Sequence, residues 1–162
     1  ANKMRRRGLD IQSYYEHDLG EFGRIDLNLY ATHLLESSFT ESDLAGAEKR
    51  EWVGVNGTPE WKASFSIGYT LEELRVSWQT NHSSNVLYAR EATAEDYDRN
   101  MIPSSTLHNL RVGYDLSEQV NIYFGINNVT DKDWLGIPGA SRGGSTYPIA
   151  GRGYYAGVNL SF

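Results

Sequence analysis

Apolar and polar residues alternate one by one along most of this chain, in seven separate segments. Successive side chains of an extended strand point to opposite sides, so each segment reads as a β-strand with one apolar and one polar face. The clearest, near 24–35, sets Ile25, Leu27, Leu29 and Ala31 against Arg24, Asp26, Asn28, Tyr30 and Thr32. The others lie near 8–16, 61–69, 74–81, 107–115, 119–128 and 152–162. In the last, Tyr154, Ala156, Val158, Leu160 and Phe162 share one face, and Tyr155, Gly157, Asn159 and Ser161 the other.

The connections alternate in length. Short polar turns follow the first, third and fifth strands. Long segments near 36–59, 82–105 and 130–151 follow the second, fourth and sixth. Within the first long segment, Ser42 to Trp52 is compatible with a short helical turn, and Asn56-Gly57-Thr58-Pro59 is turn chemistry. Strands of this length, joined alternately by short turns and long loops, form the wall of an antiparallel up-and-down transmembrane β-barrel. A soluble β-barrel or sandwich that binds a small ligand or carbohydrate is the alternative. Its apolar faces must be covered from within the chain, and this sequence offers no helices for that.

Two further patterns support the membrane wall. With the short turns on the periplasmic side, Tyr15, Tyr69, Tyr114 and Phe162 fall at one end of their strands and on the apolar face. That is the placement of an aromatic girdle at the lipid headgroups. The charged residues Arg24, Asp26, Lys62, Arg75, Arg111 and Asp115 all project to the polar face, where a wet lumen accommodates them at little cost. Gly68, Gly113, Gly125 and Gly157 share that polar face. They either relieve curvature and make room for Tyr123 and Tyr155, or coincide there in a glycine-rich chain.

Composition narrows the function classes. The 162 residues suit one domain, with 16 Gly and 11 Tyr favouring β-structure. A mean hydropathy of -0.53 and the lack of a long apolar run argue against helical spans, but not against a barrel whose strands are half polar. The net charge of -6 gives nucleic acid no electrostatic footing. There is no cysteine, hence no disulfide framework or thiolate metal site. His17, His33, His82 and His108 lack metal-ligand spacing, and no nucleophile elbow or phosphate loop occurs. Neither a catalytic residue, a metal site nor a cofactor is expected. The basic start, Ala1 to Arg7, lacks the apolar core of a signal peptide and runs straight into alternating sequence, as a piece of a longer protein would.

Several motifs resemble the C-terminal barrel segment of TonB-dependent outer-membrane receptors. Arg7-Gly8-Leu9-Asp10 is similar to the family's Gly-apolar-acid strand start, and Pro59-Glu60-Trp61-Lys62 to its Pro-x-aromatic-basic strand start. Asn109 to Tyr114 resembles the first strand of its penultimate hairpin. Gly125 to Lys132 resembles its Asn-Leu-Phe-Asp-Lys signature, with Val129-Thr130 in place of Leu-Phe. Gly151-Arg152-Gly153-Tyr154-Tyr155-Ala156-Gly157-Val158 resembles its Gly-Arg-x-Tyr ending. The resemblance implies about the last third of a barrel of roughly 22 strands around a plugged lumen. It implies a Gram-negative outer membrane and active import of a scarce nutrient: ferric siderophore, haem, cobalamin or glycan. The implied partners are outer-membrane lipid, the rest of the barrel with its plug domain, the TonB complex, and the outer-membrane assembly machinery. Gly157, Leu160 and Phe162 resemble the C-terminal signal that this machinery reads by strand addition. Tyr88, Tyr97, Trp134, Arg142 and Tyr147, in the long loops, are the candidates for touching a ligand, or else for ordering those loops.

Overall fold

The computed structural model describes residues 2–41, 46–91, 95–96, 100–133 and 151–162. They form ten strands: β1 (Lys3–Asp18), β2 (Arg24–Thr40), β3 (Lys49–Glu51), β4 (Trp61–Leu71), β5 (Leu74–Ser83), β6 (Val86–Leu87), β7 (Met101–Ile102), β8 (Ser105–Ser117), β9 (Val120–Asn127) and β10 (Gly153–Leu160). Seven make the wall, each antiparallel to its neighbour, in the order β1-β2-β4-β5-β8-β9-β10; β3 lies beside the far end of β2. No α-helix occurs among the described residues; one 3-10 turn, Gly20–Phe22, lies in the β1–β2 connection.

The register keeps the two faces separate across the whole sheet. One row of directly paired residues reads Asp18, Arg24, Thr70, Arg75, Gly113, Tyr123, Gly157. The next reads His17, Ile25, Tyr69, Val76, Val112, Phe124, Ala156. A slip of one residue in any strand would mix these rows, so the alternation in sequence fixes the pairing.

Almost nothing on the apolar face is covered. Leu9, Ile11, Phe65, Ile67, Ile122, Phe124, Val158 and Leu160 are each between 38% and 59% exposed. Among the described residues the buried hydrophobic side chains are Leu34, Val55, Val86 and Ile102, all at the long-loop end. A soluble sheet of this size would hide its apolar face; this one offers it outward.

Five of the wall strands, β1, β2, β4, β5 and β8, reach further than the alternation marks, whereas β9 and β10 stop short of it. β1 begins at Lys3 rather than near residue 8, because Arg5, Arg6 and Arg7 are extended by pairing with Ser38, Ser37 and Glu36. β2 continues to Thr40 through a bulge: Gly8 pairs with Leu34 and Arg7 with Glu36, leaving Leu35 as the extra residue. The helical turn expected within 42–52 does not hold where the structure describes it. Lys49–Glu51 is the strand β3, paired with Thr40, Phe39 and Ser38, while 42–45 lie outside the described residues.

Candidate functional site in the lumen face and outer loops

The short turns step down the ladder from one edge of the sheet to the other. Relative to the row through Gly113, Tyr15 sits three residues above its row member Asp18 (18 − 15), Tyr69 one above Thr70 (70 − 69), Tyr114 one below Gly113 (114 − 113) and Leu160 three below Gly157 (160 − 157). The level falls by two residues for every two strands. One residue of about 3.4 Å against a strand spacing of about 4.8 Å is a tilt of roughly 35°, the tilt of membrane barrel strands. Tyr15, Tyr69 and Tyr114 therefore share one level of a tilted wall, and Phe162 lies two residues beyond Leu160 on the continuation of the same face. Tyr69 donates its hydroxyl to the Phe22 carbonyl at 2.8 Å, which ties it to the first short turn.

Eight residues separate Tyr69 from Trp61 on the same face of β4 (69 − 61). On a strand so tilted they rise about 22 Å, close to the ~25 Å apolar band of an outer-membrane barrel. Trp61 stacks on its cross-strand partner His33 with ring centroids 4.1 Å apart, and His33 Nε2 lies 3.2 Å from Glu60 Oε1. At this height the outward face changes character. On β1 it runs Tyr15, Ser13, Ile11, Leu9 and then Arg7, Arg5, Lys3; the paired residues of β2 end in Glu36, Ser38 and Thr40.

Above the switch, an ion cluster joins β1, β2 and β3. Glu36, itself buried, accepts from Lys49 Nζ at 2.7 Å and Ser38 Oγ at 3.2 Å, with Arg7 at 4.0 Å. The Lys49 bond, aided by Ser38, holds the Glu36 carboxyl below its usual range despite burial. Burial pushes the Glu51 carboxyl up, but backbone N–H groups of Ser37, Val53 and Trp52 donate to it and outweigh burial, so it too is held low.

The polar face carries the cavities. One of about 510 Å³ spans the sheet from Asp26 on β2 through Arg75 and Arg111 to Asn121 and Asn159. A second, of about 360 Å³, lies nearer the long loops and includes Tyr30, Lys62, His82 and Leu107. The sheet is thus concave on its polar side. Arg75 pairs with Asp115 at 2.6 Å, and Asn121 donates to the same carboxylate at 2.7 Å. The Arg111 guanidinium lies 4.5 Å from the centre of the Tyr123 ring, in cation–π contact. Tyr123 faces Gly157, and Tyr155 faces Gly125, in two directly opposed pairs. A methyl group at either glycine would overlap the opposing ring, so both glycines are sockets for lumen-side tyrosines. Gly68 similarly receives the Asp26 carboxylate, whereas a methyl group at Gly113 would meet only ordinary contacts, Asn121 Nδ2 at 3.7 Å and the Ile122 carbonyl at 3.8 Å.

Two long loops are tied together above the wall. β6 and β7 pair, Val55 bridges to Leu87, and Leu87 N–H donates to Gly54 at 2.7 Å while Asn56 N–H donates to Leu87 at 2.8 Å. Val55, Val86 and Ile102 form the dry centre of this platform. The stretch from 128 to 152 is clasped at its base. Asn128, buried and at φ 53°, exchanges two bonds with the Lys132 backbone (2.9 and 3.0 Å) and donates its N–H to Asn109 at 3.0 Å. Asp131 then accepts from the Arg152 N–H at 2.9 Å, which joins the Asn-x-x-Asp-Lys and Gly-Arg motifs in space.

Of the five loop candidates, Tyr88 lies at the end of the platform, its N–H donating to Asn100 at 2.8 Å. Tyr97, Trp134, Arg142 and Tyr147 lie outside the described residues. Gly157 is on the lumen face; Leu160 and Phe162 are exposed. The histidines are dispersed: His17 near Tyr15, His33 on Trp61, His82 with Thr106 at 2.9 Å, and His108 with Thr80 at 2.9 Å. Among the described residues no group of three potential ligands gathers to hold a metal. Nothing in the local alternation marks Trp61 and His33 as the outer boundary, since their pairing joins residues 28 apart (61 − 33). The loop tie likewise leaves only the apolar pairs Val86-Leu87 and Met101-Ile102, in polar surroundings, as its trace in the sequence.

A tilted antiparallel wall, apolar outside and charged inside, defines the outer-membrane barrel class. The family model for "TonB dependent receptor-like, beta-barrel" matches residues 1–129, and the chain belongs to that family. No curated protein sequence matches it. Among solved structures, a point variant of the ferric enterobactin receptor from Pseudomonas aeruginosa superposes with a TM-score of 0.61 at 14% identity, over 94% of this chain and 22% of that one. At that identity the likeness is one of fold, and the chain spans about a fifth of that receptor.

Proposed function

We propose that this chain is wall, lumen lining and outer loops of an active-transport receptor in the outer membrane of a Gram-negative bacterium. The observation that carries the reading is the exposed apolar face, bounded by Tyr15, Tyr69 and Tyr114 at one level and by Trp61 about 22 Å away, opposite a charged concave face. Lipid covers the first face; the remainder of the barrel and its plug domain enclose the second. The plug in turn connects to the TonB complex. The four aromatic residues including Phe162 act as the inner girdle, and Gly157, Leu160 and Phe162 engage the assembly machinery through the free edge of β10.

The cargo is a scarce nutrient, a ferric siderophore ahead of haem, cobalamin or glycan. The fold relative that takes a ferric siderophore supports that order. Tyr88 and the loop residues Tyr97, Trp134, Arg142 and Tyr147 are proposed to meet the cargo first. The segment performs no catalysis. The test is deletion of the gene encoding this chain, followed by uptake of radiolabelled iron from a siderophore panel, with haem, cobalamin and glycans in parallel. Loss of uptake for one nutrient, restored by complementation, is expected; unchanged uptake of every one would refute a transport role.

A further inference from the structure

The outward face of β1 does not end where its apolar band ends. Above Leu9 it continues as Arg7, Arg5 and Lys3, all exposed, with Lys49 of β3 on the same side. Among the described residues four cations face two carboxylates, Glu36 and Glu51, leaving an excess of two positive charges there (4 − 2). Glu36 is occupied chiefly by Lys49 at 2.7 Å, while the Arg7 side chain is 70% exposed and only 4.0 Å from it at the nearest. Arg7 stands eight residues above Tyr15 on β1 (15 − 7), the same rise that separates Trp61 from Tyr69 on β4. It is therefore level with the outer ends of lipid chains, where headgroups begin.

We infer that Arg7, Arg5 and Lys3 form a docking strip for the phosphates of the phosphorylated glycolipid in the outer leaflet. The inference rests on the membrane-wall reading above. Three considerations select this partner. The strip is continuous with the lipid-facing apolar band, so the molecule that covers Leu9 and Ile11 brings its headgroup to Arg7. Its charge is complementary to phosphate, and arginine offers two parallel N–H donors to phosphate oxygens. Successive outward residues on a strand lie about 7 Å apart, so Arg7, Arg5 and Lys3 present a ladder to a headgroup with separated phosphates rather than a pocket for a single small anion.

The test uses the full receptor carrying this chain, purified in a neutral detergent and titrated with fluorescent lipid A. Parallel arms use dephosphorylated lipid A and inorganic phosphate. Each cation at an anionic membrane surface contributes about fivefold to binding, so Arg5→Gln with Arg7→Gln should weaken lipid A binding by roughly twenty- to thirtyfold. The dephosphorylated lipid should bind wild type more weakly still than the intact lipid binds the variant, which keeps Lys3, and inorganic phosphate should not compete at millimolar concentration. Equal binding by wild type and variant would overturn the inference, as would equal binding of both lipids or full competition by phosphate. The heat-dependent mobility of the barrel in detergent gels separates the two levels. A variant that keeps its folded mobility and its binding sinks the strip alone, whereas a wild-type receptor that never reaches the outer membrane sinks the wall reading beneath it.

Discussion

Phe65 lies midway between Tyr69 and Trp61 on β4, on the same face, and is 40% exposed. At about 2.8 Å of height per residue on a strand tilted by roughly 35°, it sits about 11 Å from each boundary. Phe65→Arg therefore places a guanidinium near the bilayer midplane, at a cost of about 2–4 kcal/mol. Two companions calibrate it. Val158 lies on the same face of β10, but only two residues above Leu160, which continues the inner level. Val158→Arg is near the interface and should cost about 0–1 kcal/mol in lipid transfer. Ser66, adjacent to Phe65, lines the lumen cavity, so Ser66→Arg should also cost under about 1 kcal/mol. The assay is urea unfolding of the receptor in phosphocholine vesicles, read by gel mobility. The expected order of cost is Phe65 far above Val158 and Ser66. Equal costs at Phe65 and Ser66, or the larger cost at Ser66, would refute the assignment of faces.

Other outcomes follow from the same geometry. Gly157→Ala forces a methyl against the Tyr123 ring and should cost about 1–3 kcal/mol, most of it recovered in the double variant with Tyr123→Ala; an additive cycle would count against the socket. Asn128→Ala removes both side-chain bonds to the Lys132 backbone while keeping the N–H bond to Asn109, with an expected loss of about 1–3 kcal/mol and faster proteolysis within 128–152; an unchanged cleavage rate would speak against it. Val86→Ala hollows the loop platform and should lower local protection of 54–56 and 86–88 to hydrogen exchange by about 2 kcal/mol without disturbing the wall. The Glu36 and Glu51 carboxyls are held low when folded, so their contribution is complete above about pH 4.3 and disappears as pH falls through the depressed values. The protection factors of the Lys49–Glu51 amides, with the intrinsic pH dependence of exchange divided out, should fall below that pH and hold above it; a fall in protection on going from pH 5 to 7 would contradict the sign.

The wall was legible because its signal is local. Each apolar–polar pair, such as Leu27-Asn28 or Ile122-Tyr123, reports its own face, and the register follows once seven such segments stack. The four tyrosine and phenylalanine positions could be ranked by strand end alone, but the common level of Tyr15, Tyr69 and Tyr114, with Phe162 two residues below it, needed the stagger between strands, a property of pairing. What alternation could not show depends on partners far along the chain. Arg5-Arg6-Arg7 has no period of two in its hydrophobicity, and only Glu36, Ser37 and Ser38 make it strand. Lys49–Glu51 carries helix-compatible residues that β2 pulls into an extended ladder. The loop tie between Val55 and Leu87 joins residues 32 apart (87 − 55) and leaves almost no local trace. The glycine sockets were half visible: four glycines on one face asked for a reason, and cross-strand register supplied it for Gly68, Gly125 and Gly157 but not Gly113.

The central claim, that one face of this sheet meets lipid and the other an aqueous lumen, can be read residue by residue. The chain contains no cysteine, so single cysteines along Trp61–Leu71 can each be spin-labelled in the receptor reconstituted into vesicles. Strict alternation is expected: labels at 61, 63, 65, 67 and 69 accessible to dissolved oxygen in the bilayer, with a maximum at 65, and labels at 62, 64, 66 and 68 accessible to a water-soluble nickel complex. Inverted alternation, or uniform access of the nickel complex to both faces, would contradict it.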